Sequence, residues 1–184
     1  PESAPPAPPT GLADATHGRW SKQLSLGGRP ALWTLSMHPL AKQPNVTLTA
    51  AVFEPAAFTS ALYNGSSTPG GGPWVNGDRV PAAARPALAI SFNGGFLFKH
   101  ITGGYAAEGR HVKALAAGQA TLGVRHDGRL VLGIFGSDLT DDGTWLALRQ
   151  NLPPIVEQGR SSIAKYPGTY WAVSYTHLTL PTKA

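Results

Sequence analysis

The sequence predicts an α+β fold: a strand-dominated mixed sheet with few short helices and long Gly/Pro-rich loops. Three observations predict it. Apolar and polar residues alternate in several short segments, which is the period of a half-buried strand. Gly 22 and Pro 17 among 184 residues cut the chain into short elements joined by many turns. Charged residues are only 14%, so the surface must be built largely from Ser, Thr, Asn, Gln, Gly and Pro, and extensive salt-bridge networks are excluded. The length fits one soluble domain, and no stretch of about 18 apolar residues offers a transmembrane segment.

Residues 1–18, PESAPPAPPTGLADATHG, read as a Pro/Ala-rich linker that favours extended, solvated backbone. From Ala31, ALWTLSMHPL sets Ala31, Trp33, Leu35 and Met37 on one parity and ends at Pro39, which predicts a strand. The next strand is Asn45 to Glu54, with Val46, Leu48, Ala50 and Val52 against Asn45, Thr47 and Thr49; the two form a hairpin through Pro39 to Pro44. Phe58 to Tyr63 is a further short strand, followed by a breaker-rich loop from Asn64 to Pro86. Ala87 to Phe92 is an apolar run that predicts a buried strand meeting Asn93-Gly94-Gly95. Ala120 to Gly136 reads as two strands about Asp127-Gly128. Trp145, Leu146, Leu148 and Leu152 space like a short helix capped near Asp141 or Asp142 and ended by Pro153-Pro154. Ile155-Val156 is a small strand running into a turn at Glu157-Gln158-Gly159.

The absence of Met at position 1 and the linker that follows favour an exported protein whose upstream part is missing. Residues 173–184, VSYTHLTLPTKA, resemble a translated sequencing-adapter read-through. They are expected to be a non-native tail, leaving 19–172 as a partial domain; the alternative is a genuine C-terminal strand carrying Tyr175, Leu178 and Leu180.

With no cysteine, disulfides, thiolate nucleophiles and Cys-type zinc sites are excluded. The 15 Lys and Arg against 10 Asp and Glu give a net charge of +5, but the basic residues are scattered singly. That argues against nucleic acid as a partner, while a diffuse positive field favours anionic ones. Phosphate-loop and dinucleotide-binding glycine patterns are absent, as are the Gly-x-Ser-x-Gly and His-Glu-x-x-His signatures. Asp138, Asp141, Asp142 and Gly143 miss the alternate-residue spacing of a calcium loop and read as turn and cap residues. His100 and His111 flank one turn without an obvious third ligand, so no metal site is assigned. Asn93-Gly94-Gly95 is the most informative tripeptide: it either presents backbone N–H groups to an anion or hydroxyl, or is a tight turn. Gly103-Gly104-Tyr105 and Glu108-Gly109 form a second glycine-rich turn with the same two readings.

The order of these pieces resembles the phosphodiester glycosidase family, that of the lysosomal uncovering enzyme, and most of all its secreted actinobacterial members. The matching stretches are Tyr63 to Trp74 with TPGGGPW, AISFNGGF, GGYAAEGR, VRHDGRLVLGIFG and LRQNLPPIVEQGR, spanning roughly Trp33 to Arg160. The resemblance implies an extracellular or outward-facing hydrolase-type domain that cleaves a glycosyl phosphodiester in a glycan. The alternative is a non-catalytic cell-envelope module that binds anionic glycans. On that reading Asn93, Glu108 and Arg149 are the candidate catalytic residues, with Arg149 contacting phosphate and Glu108 orienting a sugar hydroxyl. Gly94, Gly95, Trp74 and Asn151 are the candidate substrate-binding residues, with Trp74 as a stacking platform. The blander readings are a solvated helix-face arginine, a surface-turn carboxylate and a core tryptophan. No cofactor is identified, and the substrate is a glycan or sugar phosphate.

Overall fold

The computed structural model describes residues 19–38, 42–43, 45–65 and 69–166. The linker at 1–18, the tail at 173–184 and most of the Pro39 to Pro44 connection lie outside the described residues. The backbone forms two compact units, one up to Thr59 and one from Ser60 onward. As expected, strands dominate both, and every named ladder is antiparallel.

The first unit is a three-stranded sheet of β1 (Ser21–Leu26), β2 (Arg29–Met37) and β3 (Leu48–Phe53), in that order. β1 escaped the sequence reading because SKQLSL is largely exposed. It turns into β2 at Gly27-Gly28, whose φ values of 57 and 76 suit glycine. The expected partnership of the next two strands is present, from Leu32 opposite Phe53 to Met37 opposite Leu48. β2 buries Ala31, Leu32, Trp33, Leu35 and Met37, while its other face carries polar cross-strand pairs such as Ser36 with Thr49 at 3.2 Å.

The second unit holds a five-stranded sheet of β4 (Tyr105–Ala107), β5 (Arg110–Lys113), β6 (Ala120–Arg125), β7 (Leu130–Ile134) and β8 (Trp145–Gln150). Their order is β5-β4-β8-β6-β7. The hairpin expected about Asp127-Gly128 joins β6 to β7: Gly128 sits at φ 81, and Asp127 Oδ1 accepts from Arg129 N at 3.0 Å. β9 (Val156–Glu157) and β10 (Arg160–Ser161) make a small hairpin whose turn falls at Gln158-Gly159, as read.

Three expected elements differ. The helix over 145–152 is the strand β8. Its helix-like apolar spacing arises from a bulge: pairing with β6 steps from Val124–Ala147 to Arg125–Trp145, so Leu146 is an extra residue and Trp145 joins Leu148 on one face. The run Ala87 to Phe92 forms no strand. A 3-10 turn over Ala82–Ala87 precedes it, and Leu88 and Phe92 stand exposed without a ladder neighbour among the described residues. Phe58 to Tyr63 is also irregular, tied by Ser60 N to Gly128 O at 2.9 Å. Asp142 does turn duty rather than helix capping, accepting from Thr144 N at 3.0 Å.

β4 and β8 separate two apolar clusters. One face packs Ala106, Leu139, Trp145 and Leu148; the other packs Tyr105, Ala107 and Ala147 against Leu62, Trp74 and Phe98. Gln150, fully buried at the end of β8, locks the sheet to the 103–116 segment. Its Oε1 accepts from Gly104 N at 2.8 Å and Ala116 N at 2.7 Å, and its Nε2 donates to Ala116 O and Thr121 Oγ1.

Candidate functional site

The Tyr105 face carries the unusual chemistry. Antiparallel pairing puts Tyr105 opposite Arg149, so a phenol and a guanidinium stand side by side on a largely apolar surface. Arg149 is only 7% exposed, which corrects the helix-face reading: strand alternation turns it inward. Its Cζ lies 4.6 Å from the centre of the Phe98 ring and 5.6 Å from that of Tyr105. Nη2 donates to Phe96 O, while the buried Nη1 has no partner among the described residues. No carboxylate pairs with it there either. Burial therefore pulls its pKa down, with the nearby Tyr105 opposing, and burial pushes the Tyr105 hydroxyl well above the usual tyrosine range.

The Asn93-Gly94-Gly95 turn covers this guanidinium. A Cβ on Gly95 would stand 2.8 Å from Arg149 Nε, and one on Gly94 would stand 3.9 Å from Cγ. Close approach calls for glycine at Gly95, while at Gly94 a Cβ would make only ordinary contact; neither residue has a positive φ. Asn93 is exposed, and its Oδ1 accepts from Gly95 N at 3.2 Å, making a local Asx turn. Asn151, one strand step beyond Gln150, accepts from Phe96 N through Oδ1 at 3.3 Å. The structure thus brings Asn93, Gly94, Gly95, Arg149 and Asn151 together, although the turn does not follow a strand as expected.

Trp74 and Glu108 form the other flank of Tyr105. Trp74 meets the Tyr105 ring edge-on at 6.4 Å and donates from Nε1 to Gly70 O at 3.1 Å. The guanidinium of Arg110 lies 3.5 Å from its ring centre and reaches Pro73 O at 2.8 Å, so one face of the indole is already occupied. Glu108 occupies the turn between β4 and β5 at φ 51. Its Oε2 accepts from Val75 N at 2.8 Å; its Oε1 accepts from Asn76 N at 3.1 Å and from Asn64 Nδ2 at 3.4 Å. The carboxylate acts as a clamp on the Trp74 loop rather than facing Arg149. Glu108→Gln puts an amide NH2 where one of these N–H donors now points. It is expected to lower stability by about 1–2 kcal/mol in urea unfolding.

Sequence reasoning missed Asn64 and Tyr105. Asn64 is 2% exposed, accepts from the Tyr105 hydroxyl and donates to Asn76 O at 2.8 Å, so it joins the clamp to the sheet. The one local signal was the pair Gly103-Gly104 before Tyr105. A Cβ at Gly103 would lie 2.6 Å from Asn151 O and one at Gly104 would overlap the Ala114 carbonyl, so the pair marks close approach both to the end of β8 and to the 114–115 backbone. Of the two histidines that flank the 103–109 turn, His111 places Nε2 3.1 Å from Asp141 Oδ2, and no cluster of three metal-ligating side chains occurs among the described residues. Nor is any helix among them long and apolar enough to cross a membrane. No known protein family, curated protein or solved structure matches the chain.

Proposed function

We propose that the second unit is a phosphodiester glycosidase-type site, facing a glycan outside the cytoplasm, with Arg149 as the group that receives the phosphate. The observation that carries the reading is a buried guanidinium, covered by two glycines, with one nitrogen unpartnered and no counter-carboxylate among the described residues. An uncompensated buried cation costs stability, and an arriving phosphate oxygen supplies the missing partner. Asn93 and the glycines form the lip, Asn151 holds Phe96, and Glu108 and Asn64 hold the Trp74 loop where a sugar face can rest. In the reaction the C1–O bond breaks, water supplies the hydroxyl to the anomeric carbon, and the phosphate leaves as a monoester. Phosphate is a good leaving group, so charge stabilisation matters more than a strong general acid.

Glu108 favours a second reading, non-catalytic binding of an anionic glycan, because both its oxygens are spent on the Trp74 loop. One experiment separates the two. Purified protein is incubated with N-acetylglucosamine 1-(methyl phosphate), and free sugar is followed by chromatography. Turnover that disappears in Asn93→Ala at unchanged melting temperature supports cleavage. Saturable binding with the diester recovered intact supports the binding module, and the absence of both turnover and binding overturns the Arg149 reading.

A further inference from the structure

Asparagine is followed by glycine at Asn64, Asn76 and Asn93. Such a pair can react with itself: the glycine amide nitrogen attacks the asparagine Cγ, and glycine leaves that nitrogen unhindered by a side chain of its own. The fold restrains two of the three. Asn64 is 2% exposed; its Oδ1 accepts from the Tyr105 hydroxyl, and its Nδ2 donates to Asn76 O at 2.8 Å and to Glu108 Oε1 at 3.4 Å. Both ends of that amide are anchored. Asn76 is half-buried, with Nδ2 donating to Leu62 O at 3.2 Å and its backbone N to Glu108 Oε1 at 3.1 Å, so its side chain and main chain are fixed as well.

Asn93 has no such restraint. It is exposed, and among the described residues neither its Nδ2 nor Gly94 N has a hydrogen-bond partner. Its Oδ1 accepts from Gly95 N at 3.2 Å, which polarises the amide carbonyl and stabilises the oxyanion that forms when Cγ is attacked. The glycine that follows answers no demand of the fold. Gly94 lacks a positive φ, and a Cβ there would meet Leu62 Cδ1 at 3.7 Å and Arg149 Cγ at 3.9 Å, both ordinary contacts. What glycine supplies at this position, and alanine would not, is an open path from its nitrogen to Asn93.

We infer that Asn93 is a site of spontaneous self-modification, converting to aspartate and isoaspartate through a cyclic imide, and that conversion rebuilds the cover over Arg149. Gly94 N bonds to Cγ, the Cγ–Nδ2 bond breaks, and Nδ2 departs as ammonia with the proton from Gly94 N. Water then opens the imide. Cleavage of the new bond at Cγ gives aspartate, and cleavage at the main-chain carbonyl carbon gives isoaspartate. Either product adds a negative charge to the turn. Isoaspartate also inserts a methylene into the main chain directly before the two glycines, and this moves Gly95, whose Cβ position lies 2.8 Å from Arg149 Nε, off the guanidinium. Phosphate plays no part in the reaction.

The test incubates the full chain in mildly alkaline buffer, folded and in concentrated urea, and locates deamidation by peptide mass mapping. In urea the three asparagines convert alike; in the folded protein Asn93 converts first. Gly94→Ala, expected to melt at the wild-type temperature, slows conversion of Asn93 at least about tenfold, because the added methyl group hinders the near-attack geometry. In ligand-free, arginine-labelled protein a shifted Arg149 Nε signal grows in step with conversion. The inference is overturned by conversion of Asn64 or Asn76 as fast as Asn93 in the folded protein, by no conversion at Asn93, or by an unchanged rate in Gly94→Ala. An Arg149 signal unmoved in fully converted protein overturns it too. None of these outcomes decides whether Arg149 receives a phosphate.

Discussion

Gly104→Ala is expected to abolish cooperative melting of the second unit or to lower its melting temperature by about 10–20 °C, a loss of about 3–5 kcal/mol. The added Cβ would overlap the carbonyl of Ala114 and lie 2.7 Å from Leu115 N. These are backbone atoms and cannot swing aside as a flexible side chain would. The same peptide donates to Gln150 Oε1, which also holds Ala116, so relieving the overlap breaks the buried clamp as well. Gly109→Ala is the control. Its φ is 72 but nothing lies within 4 Å of the new Cβ, so only backbone strain is added, about 1 kcal/mol. Thermal unfolding followed by circular dichroism distinguishes the pair; equal losses would mean that steric overlap at Gly104 is not what limits the fold.

Arg149→Met is expected to change stability by no more than about 1 kcal/mol, yet to remove all stabilisation by sugar phosphodiester. The substitution gives up the Phe96 carbonyl bond and the stacking on Phe98 and Tyr105, but it also removes a desolvated charge with one nitrogen unpartnered among the described residues. Methionine is unbranched and fills the space among the rings. For the wild-type chain, ligand at 100 times its dissociation constant adds about 2.7 kcal/mol to unfolding. A purely structural guanidinium would behave in the opposite way: its loss would cost several kcal/mol, and ligand would stabilise neither protein.

What the sequence disclosed follows the range of the interactions. The β6–β7 hairpin was legible because an Asp-Gly turn and flanking alternation are local, and β2 with β3 for the same reason. β8 was misread because its apolar spacing is set by a bulge at Leu146, which shows only in the pairing with the partner strand β6 opposite Arg125. Ala87 to Phe92 has strand composition but no neighbour to pair with among the described residues, and composition alone cannot supply one. At the site, Gly95 was conspicuous because close approach leaves glycine in the sequence. Asn64 and the clamp made by Glu108 were not, because their partners lie 32 to 44 residues away along the chain. A polar residue that works through such contacts carries no local pattern.

A guanidinium held under the Asn93–Gly95 turn for a phosphate must respond to that phosphate itself. The direct measurement is the side-chain NMR signal of Arg149 in arginine-labelled protein during titration with N-acetylglucosamine 1-(methyl phosphate). A saturable shift of its Nε resonance, with slowed exchange of the guanidinium protons, is the predicted result. An Arg149 signal that stays fixed at saturating diester would mean that the guanidinium does not receive the phosphate.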